Sequence, residues 1–251
     1  KIIKPDVGVI TNISYAHIRN FKNINQIALA KSELIKNIKD EGFLVLNKED
    51  KFYNFHRKIG LKRNLKILTF SLKHKNATVN LISVLKKKSK YKIYININKT
   101  KKYFYFNSYF ENDLKNLLAT ITIISIYKDI NKLDKNIFYD LKATNGRGDI
   151  VKVKLFKKFF YLVDESYNSN PLSLKSALKN FDMIKIDNSK KHLVIADMLE
   201  LGKYSKKLHT EIGKSINKTS LKNVNVIGKH VKWTFNRLNR AKRGIFIKKK
   251  S

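Results

Sequence analysis

Apolar and polar positions change rhythm along this chain, and the changes divide it. Val7 to Ile13 reads as a buried strand. From Ile24 to Ile38 the apolar residues Ile24, Ile27, Ala28, Leu34, Ile35 and Ile38 share one helical stripe, which predicts an amphipathic helix. Phe43–Leu46 is a second strand ending at Asn47, and Leu65 to Phe70 a third. Between Thr78 and Phe106 the rhythm becomes alternation, as in Tyr91-Lys92-Ile93-Tyr94-Ile95-Asn96-Ile97. That predicts antiparallel hairpins with turns near Ser89 and Lys99. Asn112 to Lys128 is a helix, and Leu141 to Gly148, punctuated by closely spaced glycines, is the linker candidate. Strand and helix then alternate: Lys158–Val163 and Pro171–Phe181, His192–Ala196 and Lys203–Ile216, Val224–Ile227 and Val231–Leu238. This alternation argues for a mostly parallel sheet covered by helices, a Rossmann-like domain, and an α/β chain overall.

The first strand-to-helix junction of that second half concentrates polar side chains. The strand stops at Asp164, a polar turn follows, and Asn170-Pro171 opens the helix. Asn is a favoured N-cap and Pro is tolerated at the first helical position. Leu174, Ala177, Leu178 and Phe181 then form one apolar face. Open α/β sheets bind ligands at the carboxyl ends of their strands. Asp164 would serve there as a hydroxyl or metal acceptor and the Asn side chains as amide readers. An ordinary capped loop is what physics alone favours.

Composition narrows the classes. The 251 residues are 43% hydrophobic and 11% aromatic, enough for one large core or two modest ones. Cysteine is absent, which removes disulfides, thiolate zinc sites and cysteine nucleophiles. Apolar runs are short and interrupted, so no membrane-spanning helix is expected. The chain starts Lys1-Ile2-Ile3-Lys4-Pro5, without Met or a signal-peptide pattern, and enters a strand at once; it reads as a fragment. The net charge of +35 invites a nucleic-acid reading. Yet of 54 basic residues only Arg19, Arg57, Arg63, Arg147, Arg237, Arg240 and Arg243 are arginine, the residue that base and phosphate readers favour. Lys, Ile and Asn are inflated together, as in an AT-rich coding bias, and runs such as Lys86-Lys87-Lys88 read as solvated faces.

Four further positions carry candidate chemistry. Lys31 falls in the apolar stripe of its helix, where an ammonium tends to lose its charge; a snorkelling lysine is the competing reading. His17 follows the first strand, where an isolated histidine is more often a loop or core residue than a ligand. Asn47 ends a strand, and its amide can both donate and accept; a plain turn residue and an adenine reader are about even. Arg147 stands alone in an arginine-poor region, and its planar fork suits phosphate. Gly213-Lys214-Ser215 imitates the end of a phosphate loop, but Leu208 stands where the required Gly belongs and the pattern around it is helical.

The string Asp164-Glu165-Ser166-Tyr167-Asn168-Ser169-Asn170-Pro171 resembles the D-x-[ST]-Y-N-[AS]-N-P signature of the Mur ligases. Thr11-Asn12-Ile13-Ser14-Tyr15-Ala16-His17 is similar to that family's T-N-I-[GS]-x-A-H, and Ala30-Lys31-Ser32-Glu33 to its A-K-x-E. Asn47-Lys48-Glu49-Asp50 resembles N-x-D-D, and Gly146-Arg147 the family's G-R. Asp197-Met198-Leu199-Glu200-Leu201-Gly202 is similar to G-D-M-x-E-L-G, typical of the branch that adds D-alanyl-D-alanine. The chain departs from the pattern at Lys22 and Ala196, where Gly is usual, and at Phe110-Glu111-Asn112, where G-x-H is usual.

The resemblance implies part of the family's central ATPase domain over 1–143 and a truncated Rossmann-like C-terminal domain over 144–251. It implies ATP and Mg²⁺ as cofactors, Lys31 as a carbamate and His17 at the metal and reacting phosphate. Asn47 and Arg147 would meet adenine and the ATP phosphates, Asp164 the ribose, and Tyr167, Asn168 and Asn170 the nucleotide side of a cleft. The implied reaction is cytoplasmic: ATP-dependent joining of D-alanyl-D-alanine to UDP-MurNAc-tripeptide through an acyl phosphate, by a monomer with no dedicated nucleic-acid partner and no membrane insertion. The chain lacks G-x-x-x-x-G-K-[ST], so it is expected to be inactive alone. Another Mur ligase, a folylpolyglutamate synthetase, a basic nucleic-acid-binding module and a non-catalytic remnant are the alternatives.

Overall fold

A computed structural model describes residues 3–88, 90–141 and 144–248. The chain divides into two compact units, Lys1–Ile13 with Asn25–Leu141, and Ser14–Ile24 with Lys142–Ser251. The sequence places the whole of 1–143 in one domain, whereas Ser14–Ile24 clusters with the second unit.

The first unit is built on a six-stranded sheet, β1 (Val7–Ile10), β2 (Phe43–Asn47), β3 (Lys66–Ser71), β4 (Val79–Lys87), β5 (Lys90–Ile97) and β6 (Thr100–Phe106), in that spatial order. β1 to β4 pair in parallel and β4 to β6 antiparallel, so the change from continuous to alternating apolar pattern marks the change of ladder. The turn expected near Ser89 falls on a residue outside those described; the one near Lys99 is present, with Asn98 and Lys99 at positive φ. α4 (Glu111–Tyr127) lays Leu114, Leu117, Leu118 and Ile121 onto Val45, Phe70, Val79, Ile93, Ile95 and Phe104. Each such fully buried side chain contributes about 1.5–3 kcal/mol.

The single helix expected over 24–38 is two, α1 (Ile24–Lys31) and α2 (Glu33–Asn37). Ser32 is fully buried at the break and its hydroxyl bonds the Leu29 carbonyl, competing with the helix ladder. α3 (Tyr53–Lys62) has no counterpart in the sequence reading. Its buried positions are His56 and Gly60, while Phe55 and Leu61 are exposed, so no apolar stripe announces it.

The second unit holds a parallel sheet of β9 (His192–Ala196), β10 (Asn223–Ile227) and β11 (Arg243–Ile247), with β10 in the middle. Val224 and Val226 of the central strand are fully buried. α5 (Pro171–Met183), α6 (Ser205–Asn217) and α7 (Lys232–Arg237) alternate with these strands, and α6 buries Leu208, Ile212 and Ile216. One expectation is corrected here. β8 (Lys158–Asp164) is not bonded into the parallel sheet; it forms an antiparallel hairpin with β7 (Asp149–Leu155), from Asp149 opposite Asp164 to Leu155 opposite Lys158. Both strands leave most of their side chains exposed, so a strand pattern here did not mean a core strand. Among the described residues no helix is long and apolar enough to cross a membrane.

Candidate functional site

The polar corner is assembled where β7 begins and β8 ends. The Gly148 N–H donates to the Asp164 carbonyl at 2.7 Å, and the Tyr167 N–H to the Gly146 carbonyl at 3.1 Å. The Gly146 N–H donates in turn to the Asp149 carboxylate at 2.8 Å. Gly146 has φ 73°, and a Cβ on it would lie 2.9 Å from the Tyr167 nitrogen, so the turn needs a glycine twice over. That packing sets the Arg147 guanidinium 4.3 Å from the centre of the Tyr167 ring. Arg147, Tyr167 and Asn168 are exposed, a fork and an aromatic plate open to solvent. Asp164 accepts the Ser166 N–H at 2.9 Å, and the Ser166 hydrogen bonds hold its carboxyl below the usual carboxylate range. The charged form is therefore favoured, as a hydroxyl acceptor needs.

Asn170 is the residue of this string with the clearest structural duty. Its side chain accepts the N–H groups of Leu172 at 3.0 Å and Ser173 at 3.1 Å, while Ser173 accepts from the Asn170 N–H at 3.0 Å. This is a complete capping box on α5 with Pro171 at the first turn, as the sequence predicts. The amide oxygen is occupied by the cap, and an amide-reader role for Asn170 has only its NH₂ to offer.

Lys31 and Asn47 are the first-unit candidates. Lys31 ends α1 and is exposed; Ser32 takes the buried place beside it. The helix breaks at this point and turns the lysine outward, which removes the argument that burial discharges the ammonium. What remains for Lys31 is the Ala30-Lys31-Ser32-Glu33 motif. Asn47 is buried at the end of β2, donates to the Thr11 carbonyl at 3.0 Å and accepts the Glu49 N–H at 2.9 Å. Its neighbours are similarly occupied. Glu49 takes the Ser71 hydroxyl at 2.8 Å, and Asp50 the N–H groups of Ile13 and Phe52, each at 2.8 Å. The Asn47-to-Asp50 string thus ties β1, β2 and β3 together at their carboxyl ends.

His17 lies in the second unit, at φ 57°, before a 3₁₀ turn at Ile18–Asn20. Its Nδ1 pairs with the carboxylate of Glu200, and both side chains are more than half exposed. The D-M-L-E-L-G string contained this partner, but nothing in its spacing pointed to His17. The phosphate-loop imitation Gly213-Lys214-Ser215 lies inside α6, where Lys214 pairs with Glu211 at 2.7 Å. Among the described residues no group of three or more His, Asp or Glu side chains is arranged to hold a metal ion. Hard cations want oxygen ligands, and a free ammonium at Lys31 repels them. Among the described residues the side chains as they stand do not fit Mg²⁺; a carbamate at Lys31 would change the donor set.

Residues 1–124 match the Mur ligase middle domain. Over 245 residues the chain is 29% identical to the UDP-N-acetylmuramoyl-tripeptide--D-alanyl-D-alanine ligase of Rickettsia prowazekii, covering 95% of this chain and 52% of the relative. A crystal structure of MurF from Acinetobacter baumannii superimposes with a TM-score of 0.83 at 20% identity, covering 98% of this chain and 51% of that one. MurF from Thermotoga maritima, solved in complex with ADP, gives 0.75 at 20% identity, covering 99% and 53%. Residues 1–124 thus carry the Mur ligase middle domain, and the relative matched over nearly the whole chain is itself a Mur ligase. The Rickettsia relative is by name a D-alanyl-D-alanine ligase, and the chain spans about half the length of each of these three proteins. Other Mur ligases and a folylpolyglutamate synthase share the fold at lower likeness.

Proposed function

We propose that the chain is part of the ligase that joins D-alanyl-D-alanine to UDP-MurNAc-tripeptide, with 1–143 drawn from the central ATP-binding domain and 144–251 from the C-terminal domain. The observation that carries this reading is the corner at β7 and β8: a guanidinium fork braced on Tyr167 beside a carboxylate kept ionised. Arg147 meets the nucleotide phosphates, where a planar fork gives two parallel charge-assisted bonds. Asp164 accepts from the ribose hydroxyls, and Tyr167 and Asn168 line the same side. Asn47 shapes the carboxyl ends of the first-unit strands near the adenine, through backbone rather than through a free amide.

In the reaction, the γ-phosphate of ATP passes to the terminal carboxylate of the tripeptide, giving an acyl phosphate. The amine of D-alanyl-D-alanine attacks that carbonyl, and phosphate leaves from the tetrahedral intermediate. Such chemistry asks the protein mainly for positioning and for neutralising crowded negative charge. Mg²⁺ would come with the nucleotide phosphates; the family resemblance assigns His17 and, as a carbamate, Lys31 to it. The site of action is the cytoplasm, where the nucleotide and the UDP-linked precursor are found, and the working unit is a monomer.

The test is a titration of a fluorescent ADP analogue into the 251-residue chain. Saturable binding, weakened at least tenfold in Arg147→Ala and in Asp164→Ala, is the expected result. Equal binding by wild type and both variants would overturn the corner as the nucleotide site. Turnover is a separate question: phosphate release that requires both UDP-MurNAc-tripeptide and D-alanyl-D-alanine would refute the expectation that the chain is inactive alone. Tight, steeply salt-dependent binding of DNA or RNA would favour the nucleic-acid alternative.

A further inference from the structure

The loop carrying His17 is held at four points by one short stretch, Glu200 to Tyr204. The Glu200 carboxylate pairs with His17 Nδ1, and the Glu200 carbonyl accepts the Arg19 N–H at 2.8 Å. Gly202 lies so close to the loop that a Cβ on it would sit 3.2 Å from the Arg19 Cα. The Tyr204 hydroxyl donates to the Lys22 carbonyl, and its ring stands 6.1 Å from that of Tyr15. His17 and Glu200 both adopt left-handed backbone, φ 57° and φ 58°, which side-chain-bearing residues keep only where their surroundings dictate it.

The His17–Glu200 contact is a poor stabiliser, because both partners are open to water and a contact in that setting adds little. It is a good orienter. A carboxylate on Nδ1 fixes the ring's direction and selects the tautomer with the proton on Nδ1. Nε2 is then the ring nitrogen left for a ligand.

We propose that Glu200 is a positioning residue for His17: it aims the ring and reserves Nε2, gripping side chain and backbone of the loop together. This rests on the reading of His17 as a residue at the reacting phosphate. It gives the acidic position of the D-M-L-E-L-G string a task without contact to substrate.

The experiment is ¹⁵N NMR of the imidazoles in the 251-residue chain at about pH 8.5, above the ordinary histidine range. His17→Gln assigns the resonance. Wild type is expected to favour the Nδ1–H form, and Glu200→Ala to move the tautomer ratio toward Nε2–H by about two- to fivefold, the range an exposed pair sustains. Glu200→Gln, whose amide oxygen still accepts, restores most of the wild-type ratio. Unchanged backbone spectra away from the loop exclude unfolding as the cause. An identical ratio in wild type and Glu200→Ala overturns the proposal. Adding ADP then separates the two readings. A tautomer shift in Glu200→Ala with a wild-type Nε2 that ignores ADP leaves the positioning role standing and removes His17 from the nucleotide site.

Discussion

A Cβ placed on Gly228 would lie 2.5 Å from Oδ1 of Asp197, and the carboxylate occupies that space because it caps the turn beyond. Asp197, at the end of β9, accepts the N–H groups of Lys229 at 2.9 Å, His230 at 2.8 Å and Val231 at 2.6 Å. Charge-assisted bonds to backbone N–H are among the stronger ones available, and here they join the ends of β9 and β10. Asp197→Ala should cost the second unit about 2–3 kcal/mol. Gly228→Ala should cost a comparable amount, since Gly228 has φ 141° as well as no room. Trp233, the only tryptophan, sits in α7 and makes its fluorescence a probe of this unit during urea unfolding. A midpoint unchanged in Asp197→Ala would show that the clamp is dispensable.

His209 predicts a pH dependence. It is buried in α6, its Nε2 accepts the Met198 N–H at 3.1 Å, and its Nδ1 donates to the Ser205 carbonyl at 2.8 Å. Burial lowers its pKa below 6.5, with His230 adding to the effect, while the Ser205 carbonyl and Asp197 oppose it. A lowered folded pKa means that the unfolded chain binds the proton first as pH falls. Stability from the neutral ring is therefore complete above about 6.5 and is lost below it as pH approaches the folded value. His209→Gln, which can both accept and donate, should flatten that loss below pH 6.5 when Trp233 fluorescence is followed. Parallel slopes in the two proteins would assign the dependence to other groups; the carboxylates with lowered pKa, such as Asp187 and Glu211, act at lower pH.

How much of this was legible depended on whether a residue's partner lies near it in sequence. The alternation over 78–106 became β4 to β6, and Asn170-Pro171 became a capping box, because the strands pair with their immediate chain neighbours and the cap is closed within three residues. α3 was hidden because its buried face consists of His56 and Gly60, and His56 is held by the Ala28 carbonyl at 3.0 Å, 28 residues away. β7 and β11 were hidden because they are exposed and interrupted or led by Lys or Arg, without the apolar density that marks a core strand. The apolar stripe through Lys31 misled for a related reason: the buried Ser32 hydroxyl ends the helix one residue later and rotates the face. Motif strings located the corner at Arg147 and Asp164, yet Glu200 opposite His17 could come only from three-dimensional pairing across 183 residues.

The α5 cap offers a cleaner test of a local device. Asn170→Ala removes the acceptor for two N–H groups and should cost the second unit about 1 kcal/mol, within a range of 0.5–2. Asn170→Asp keeps both acceptances and adds a negative charge at a helix N-terminus, so it should match wild type or exceed it slightly. The measurement is again urea unfolding by Trp233 fluorescence. Loss of nucleotide affinity in Asn170→Asp at full stability would instead give the Asn170 NH₂ group a direct part in binding.

Asn47 sets structure against ligand recognition most sharply. Its NH₂ holds the Thr11 carbonyl and its oxygen the Glu49 N–H, both at a buried strand end. Asn47→Asp preserves the acceptor and deletes the donor, leaving the Thr11 carbonyl without its bond and a charge where water is scarce. The first unit should lose about 1–3 kcal/mol. Hydrogen exchange of peptides from β1 and β2, which pair from Val7 with Phe43 to Ile10 with Leu46, should accelerate accordingly, while peptides from β9 and β10 keep their wild-type rates. The same variant should bind the ADP analogue less well only in proportion to that loosening. Wild-type exchange together with a large drop in ADP affinity would reverse the assignment and make the Asn47 amide an adenine reader after all.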